Sequence, residues 1–95
     1  MLSLISPSNM SADVAKCARA MRLAQNLSQR SLAERAGVSQ ASLKRFEGTG
    51  EVAFSTLLQI AAALGCMDDF ASLFAARKLA TIDEIVQKRR VRGRG

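Results

Sequence analysis

"SQRSLAERAGVSQASLKRFEGTG", residues 28–50, carries one pattern twice: Ser28-Gln29-Arg30-Ser31-Leu32 and, eleven residues on, Ser39-Gln40-Ala41-Ser42-Leu43. A serine just ahead of a helix accepts a hydrogen bond from a backbone N–H of the first turn, and apolar residues either side of that turn clamp the entering chain. Leu27 with Leu32, and Val38 with Leu43, have the spacing of that clamp. Gly37 and Gly48 have the character of helix stops, because glycine enters the left-handed region without a Cβ penalty. Two short helices are therefore predicted, near residues 29–36 and 40–47, with a tight turn at Gly37. Ser31 and Ser42 stand where a full capping box would have Glu or Gln. The doubling reads as one local device used twice, not as an internal repeat.

Outward from this pair the periodicity stays helical. Upstream, Met10, Val14, Cys17, Met21 and Ala24 recur at steps of four and three, which predicts a helix with one buried stripe. Ser6-Pro7 is one plausible start, and Ser11 with Asp13 in its first turn is another, so helix 1 begins near residue 7 or 12 and ends near 25. Downstream, Leu57, Ile60, Ala61 and Leu64 mark a fourth helix stopped by Gly65. Asp68 and Asp69 suit the positive first turn of a fifth, with Phe70, Leu73 and Phe74 as its apolar residues. Thr81-Ile82-Asp83-Glu84 fits the T-x-x-E capping box of a short extra helix, with Ile82, Ile85 and Val86 available for docking. No segment shows sustained strand alternation, so the fold class is all-α. The division expected is a lead-in over 1–10, a domain over 11–76 and a basic extension over 77–95.

Ninety-five residues, 48% of them hydrophobic, suffice for one modest core. No apolar run approaches the roughly 20 residues that span a bilayer, and the first residues lack the pattern of a secretory leader. A cytoplasmic protein that does not engage a membrane is expected. Cys17 and Cys66 lack CxxC spacing and there is no histidine, so no metal site is expected, and both cysteines read as small core residues. The lack of histidine also removes the commonest general base, so neither an enzyme nor a cofactor is expected. The net charge of +6 is uneven: residues 1–76 carry seven basic and six acidic side chains, residues 77–95 seven and two. That excess in the extension suits a nucleic-acid or acidic-protein partner, or a solvated terminus.

Two short helices about a tight turn form a helix-turn-helix, whose second helix enters the DNA major groove. On helix 3, Leu43 and Phe46 face inward, and the other face presents Gln40, Ala41, Lys44 and Arg45. Gln can pair bidentately with adenine and Arg or Lys with guanine, while an Ala methyl packs on a thymine methyl. The same sorting also describes an ordinary amphipathic helix with a solvated polar face.

The run Met21 to Gly65 resembles the Cro/C1-type helix-turn-helix family, the Xre group of bacterial and phage repressors, which has a five-helix, lambda-repressor-like domain. The resemblance rests on Arg22, Ser28-Gln29, Leu32-Ala33, Ala36-Gly37-Val38-Ser39, Leu43, Glu47 and the "IAAALG" ending at Gly65. It implies that Gln29 contacts a phosphate and supports Gln40, that Gln40, Ala41, Lys44 and Arg45 read bases, and that Ser39 lies near the DNA backbone. It also implies an Arg22–Glu47 ion pair that turns Arg22 toward a phosphate. An acid near a helix C-terminus has the unfavourable sign for the helix dipole, which itself argues for a specific partner.

The partners implied are double-stranded DNA with an inverted-repeat operator and a second copy of the chain. Phe70, Leu73 and Phe74 are the candidate dimer contacts, unless they only close the monomer core. Two departures stand out: the loop "GTGEVAF" lacks the family's common proline and sets Glu51 beside the DNA face, and an extension follows Ala75. The stretches "ATIDEIVQKRRVRGRG" and "KRFEGTGE" resemble HipB-like antitoxins, implying a HipA-like kinase toxin as a further partner. Lys88, Arg89, Arg90, Arg92 and Arg94 are candidate tail contacts.

Overall fold

A computed structural model describes residues 5–75. It contains α1 (Pro7–Ala24), α2 (Gln29–Ala36), α3 (Gln40–Thr49), α4 (Phe54–Leu64) and α5 (Asp68–Ala71), and no strand among the described residues. The fold is the all-α, five-helix arrangement. The extra helix expected from Thr81 and the basic tail lie outside the described residues.

Of the two candidate starts for α1, Ser6 is the cap: its Oγ accepts from the Asn9 amide at 3.1 Å, and Pro7 follows at the position where a missing N–H costs nothing. Ser11 lies inside the helix, so α1 runs unbroken across the division placed between residues 10 and 11. Its far end turns through Asn26, which takes a left-handed φ of 57° while the Leu27 amide donates back to the Arg22 carbonyl. Asparagine tolerates that region better than most residues with a Cβ.

Isolated helices as short as α2 and α3 are marginal, so tertiary packing holds them. Leu32, Leu43, Phe46 and Ile60 are essentially inaccessible, with Ala15, Leu27, Ala33, Ala36 and Leu64 around them. Burying each large side chain contributes about 1.5–3 kcal/mol. α1 packs on α3 and α4, and α2 on the same two, so α3 is held from both sides with one face left outward.

Three expectations are corrected. Gly48 does not stop α3; the helix continues to Thr49 and turns at Gly50, whose φ is +84°. A Cβ at Gly50 would come within 3.0 Å of the Ser11 backbone, whereas one at Gly48 meets nothing, so it is the turn at Gly50 that packs against α1 and bars a larger residue. The buried stripe of α1 is also rotated. Ala15 and Arg22 are the buried residues, Val14, Ala18 and Met21 are half-buried, and Met10, Cys17 and Ala24 are exposed. Small alanines allow α1 to approach the core, and the larger residues beside them line an open cleft. Consequently Cys17 is not a core residue, and Cys66 is only half-buried. Burial and then the neighbouring Asp69 carboxylate push the Cys66 thiol above its ordinary pKa.

The apolar residues after Gly65 also divide. Phe70 is half-buried and meets Phe54 edge-on, with ring centroids 6.1 Å apart, so it helps close the monomer. Leu73 and Phe74 fall beyond α5 and are exposed, Phe74 by 74%.

Candidate nucleic-acid interface

The two halves of the opening stretch start in the same way. Ser28 Oγ and Ser39 Oγ each accept from the amide three residues on, Ser31 and Ser42, at 3.0 Å. Each cap hydroxyl also donates to the hydroxyl of that third residue, at 3.1 and 2.8 Å. Serine at the third position therefore takes part in the cap, although it cannot reach back as a Glu would. Between the two starts Gly37 sits at φ +72°, and the Val38 amide donates to the Ala33 carbonyl at 3.0 Å, closing the end of α2. The left-handed backbone, not space, demands glycine here, since a Cβ would lie 3.7 Å from its nearest neighbour, Gln59 Nε2.

Leu43 and Phe46 face the core, and Ser39, Gln40, Ala41, Lys44 and Arg45 are exposed together along the other side of α3. Arg45 Nη2 pairs with Glu51 Oε1 at 2.5 Å, and both side chains remain about two-thirds exposed. Glu51 is thus the partner of a candidate base-reading residue in the unbound protein. An exposed pair of this kind is worth about 0–1 kcal/mol, so Arg45 exchanges partners at little cost. Ser42, Arg45, Val52 and Thr56 line a shallow hollow of about 320 Å³ beside this pair.

The face is braced from behind by a buried network. Arg22 Nε donates to Glu47 Oε2 at 2.7 Å and Arg22 Nη2 to Glu47 Oε1 at 3.0 Å, a two-pronged pair with side chains only 8% and 3% exposed. Arg22 Nη1 also donates to the Leu27 carbonyl at 2.9 Å, and Gln29 Nε2 to Glu47 Oε1 at 3.0 Å. One guanidinium and one carboxylate thereby join the end of α1, the loop before α2, the start of α2 and the last turns of α3. Burial alone would push the Glu47 carboxyl up, but hydrogen bonds from Arg22 and Gln29 and the positive charges of Arg22 and Arg19 outweigh it, holding it below the ordinary glutamate range.

The sequence expectations thus separate by location. The Arg22–Glu47 pair is present, but Arg22 is buried with donors committed to protein acceptors. Gln29 spends its amide on Glu47 and makes no hydrogen bond to Gln40. Arg19 was missed; it lies one turn before Arg22 on α1, close enough for its charge to act on Glu47, and an i, i+3 reading from Arg22 would have found it. Among the described residues no cluster of His, Cys, Asp or Glu has the arrangement of a metal site.

A family model described as helix-turn-helix matches residues 19–67, just over half of the chain, and the protein belongs to this Cro/C1-type helix-turn-helix family. That family is one of DNA-binding regulators of transcription. The match spans α2, its turn and α3, together with the Arg22 and Glu47 that brace them. No curated protein matches the chain. No described helix is long and apolar enough to cross a membrane.

Proposed function

We propose that the protein is a sequence-specific transcriptional repressor of the cytoplasm that binds an inverted-repeat operator as a homodimer. In this reading α3 lies in the major groove, Gln40, Ala41, Lys44 and Arg45 meet base edges, and Ser39 lies near the phosphates. The observation that carries it is the polar face of α3, exposed as one strip and held by a nearly inaccessible ion pair. Such a brace fixes the direction of α3 before DNA arrives. Arg22 acts in this reading through the rigidity it gives α3, and Gln29 presents the start of α2 to a phosphate. Phe74, 74% exposed, supports a second copy, which would space two α3 helices about one helical turn apart.

The test is a polarisation titration on the DNA upstream of the protein's own gene at several salt concentrations. Log affinity should fall with log salt by about 0.9 per phosphate contact, and the affinity should exceed that for scrambled DNA. Equal affinity for both sequences would defeat the base-reading assignment. A narrower proposal, that the protein is the antitoxin of a HipA-like kinase and represses that operon, is supported by the likeness of residues 80–95 to HipB-like proteins. Copurification with the product of the adjacent gene tests it, and failure to bind that product would refute it.

A further inference from the structure

The rotated stripe of α1 has a counterpart. Met10, Val14, Cys17 and Met21 form one wall of an open cleft of about 370 Å³, with Leu57 and Leu64 of α4 opposite. Phe70 and Leu73 close its end, so the described chain stops two residues beyond the cleft, at Ala75. Asp13 and Asp69 are the charged groups among its lining residues, and none of them is basic. The cleft lies apart from the polar face of α3: it shares no residue with Ser39, Gln40, Ala41, Lys44 or Arg45.

We propose that this cleft is the docking site for residues 82–86 of the same chain, entered as a short amphipathic helix. Three features of the sequence select this occupant. Ile82, Ile85 and Val86 stand at i, i+3 and i+4, which puts three branched apolar side chains on one helical stripe, and Thr81 with Glu84 supplies the capping box that starts the helix there. The connection is long enough, since the six residues from 76 to 81 reach roughly 20 Å when extended, and Leu73 is already at the cleft. The charges are compatible: in a helix Asp83 and Glu84 fall on the side opposite the Ile82, Ile85 and Val86 stripe, away from the Asp13 and Asp69 carboxylates of the cleft, and the basic Lys88 and Arg89 follow the stripe. Tethering through a short link gives the segment an effective concentration near the millimolar range, which favours it over a free partner. Phe74 does not line the cleft and stays available to a second copy. The inference goes beyond the DNA-binding reading and does not rest on it.

Cys17, exposed in the cleft wall, is a natural reporter. In the full-length protein the alkylation rate of Cys17 by iodoacetamide is measured by peptide-resolved mass spectrometry, which separates it from Cys66, with and without the pair Ile82→Asp/Ile85→Asp. Circular dichroism checks that both proteins remain helical. A segment docked nine-tenths of the time slows alkylation roughly tenfold relative to the aspartate variant. That protection should persist on dilution. Equal rates in the two proteins overturn the proposal, and protection that disappears on dilution overturns it in favour of a second copy as the cover. Operator binding is followed in parallel: its absence with Cys17 still protected counts against the repressor reading alone.

Discussion

Arg22→Met is the perturbation that most directly tests how α3 is held. Methionine keeps an unbranched apolar stem in place of the arginine stem but removes all its donors. The Glu47 carboxylate, 3% exposed, would lose bonds of 2.7 and 3.0 Å and keep only the Gln29 amide, and the Leu27 carbonyl would lose its side-chain donor. Each hydrogen bond to a charged group is worth roughly 1.5–3 kcal/mol, and breaking a buried pair by removing one partner costs about 3–5 kcal/mol. A loss near 3–5 kcal/mol is therefore expected, against a total of about 5–15 kcal/mol for a small domain. Urea unfolding measures it, or Tm, which falls about 4–8 °C per kcal/mol at this size.

Removing both charges, as Arg22→Met/Glu47→Leu, should cost less than the single change, since no carboxylate is then left buried without its counter-charge. Acid titration adds an independent check. The folded Glu47 carboxyl is held below its unfolded value, so its contribution is complete above roughly pH 4.3 and is lost as pH falls through the lower folded value. Glu47→Gln should therefore be less stable near neutrality and lose less further stability on acidification. A cost for Arg22→Met below about 1 kcal/mol, the range of an exposed pair, would refute the reasoning.

The two glycines of α3 should respond with opposite signs. Gly48→Ala should stabilise by about 0.5–1 kcal/mol, because an exposed helical position gains a better helix former, whereas Gly50→Ala should destabilise, its Cβ meeting the Ser11 backbone at positive φ; thermal melts of both decide. At the DNA face, Arg45→Ala should cost roughly 1–3 kcal/mol of binding and relax preference at one base pair. Glu51→Gln, by contrast, should tighten binding several-fold at low salt, because it releases Arg45 and removes a negative charge; weaker binding in the titration would show that Glu51 positions Arg45 for DNA. Trimming residues 88–95 should weaken binding to all sequences alike and flatten the salt dependence, and an unchanged slope would exclude phosphate contacts by the tail.

What was legible in advance was local. Ser28, Ser39, Gly37 and Gly65 act on the backbone within a few residues of themselves, so the starts of α2 and α3 and the ends of α2 and α4 follow from spacing alone. The inward Leu43 and Phe46 follow from helical period. The Arg22–Glu47 pair, twenty-five residues apart, came from family resemblance, because no local rule relates such distant positions.

The amino-acid sequence by itself determined that this chain is a set of short capped helices, that two of them flank a glycine turn, and which side chains α3 offers outward. Only the tertiary structure decided which of Gly48 and Gly50 ends α3, which side of α1 meets the core and which borders a cleft, and that Gln29 serves Glu47. It also set Glu51 beside Arg45. Caps and periodicity act through covalent neighbours and repeat with the helix, whereas these choices depend on how closely one helix approaches another, and that distance exists only once all of them are packed.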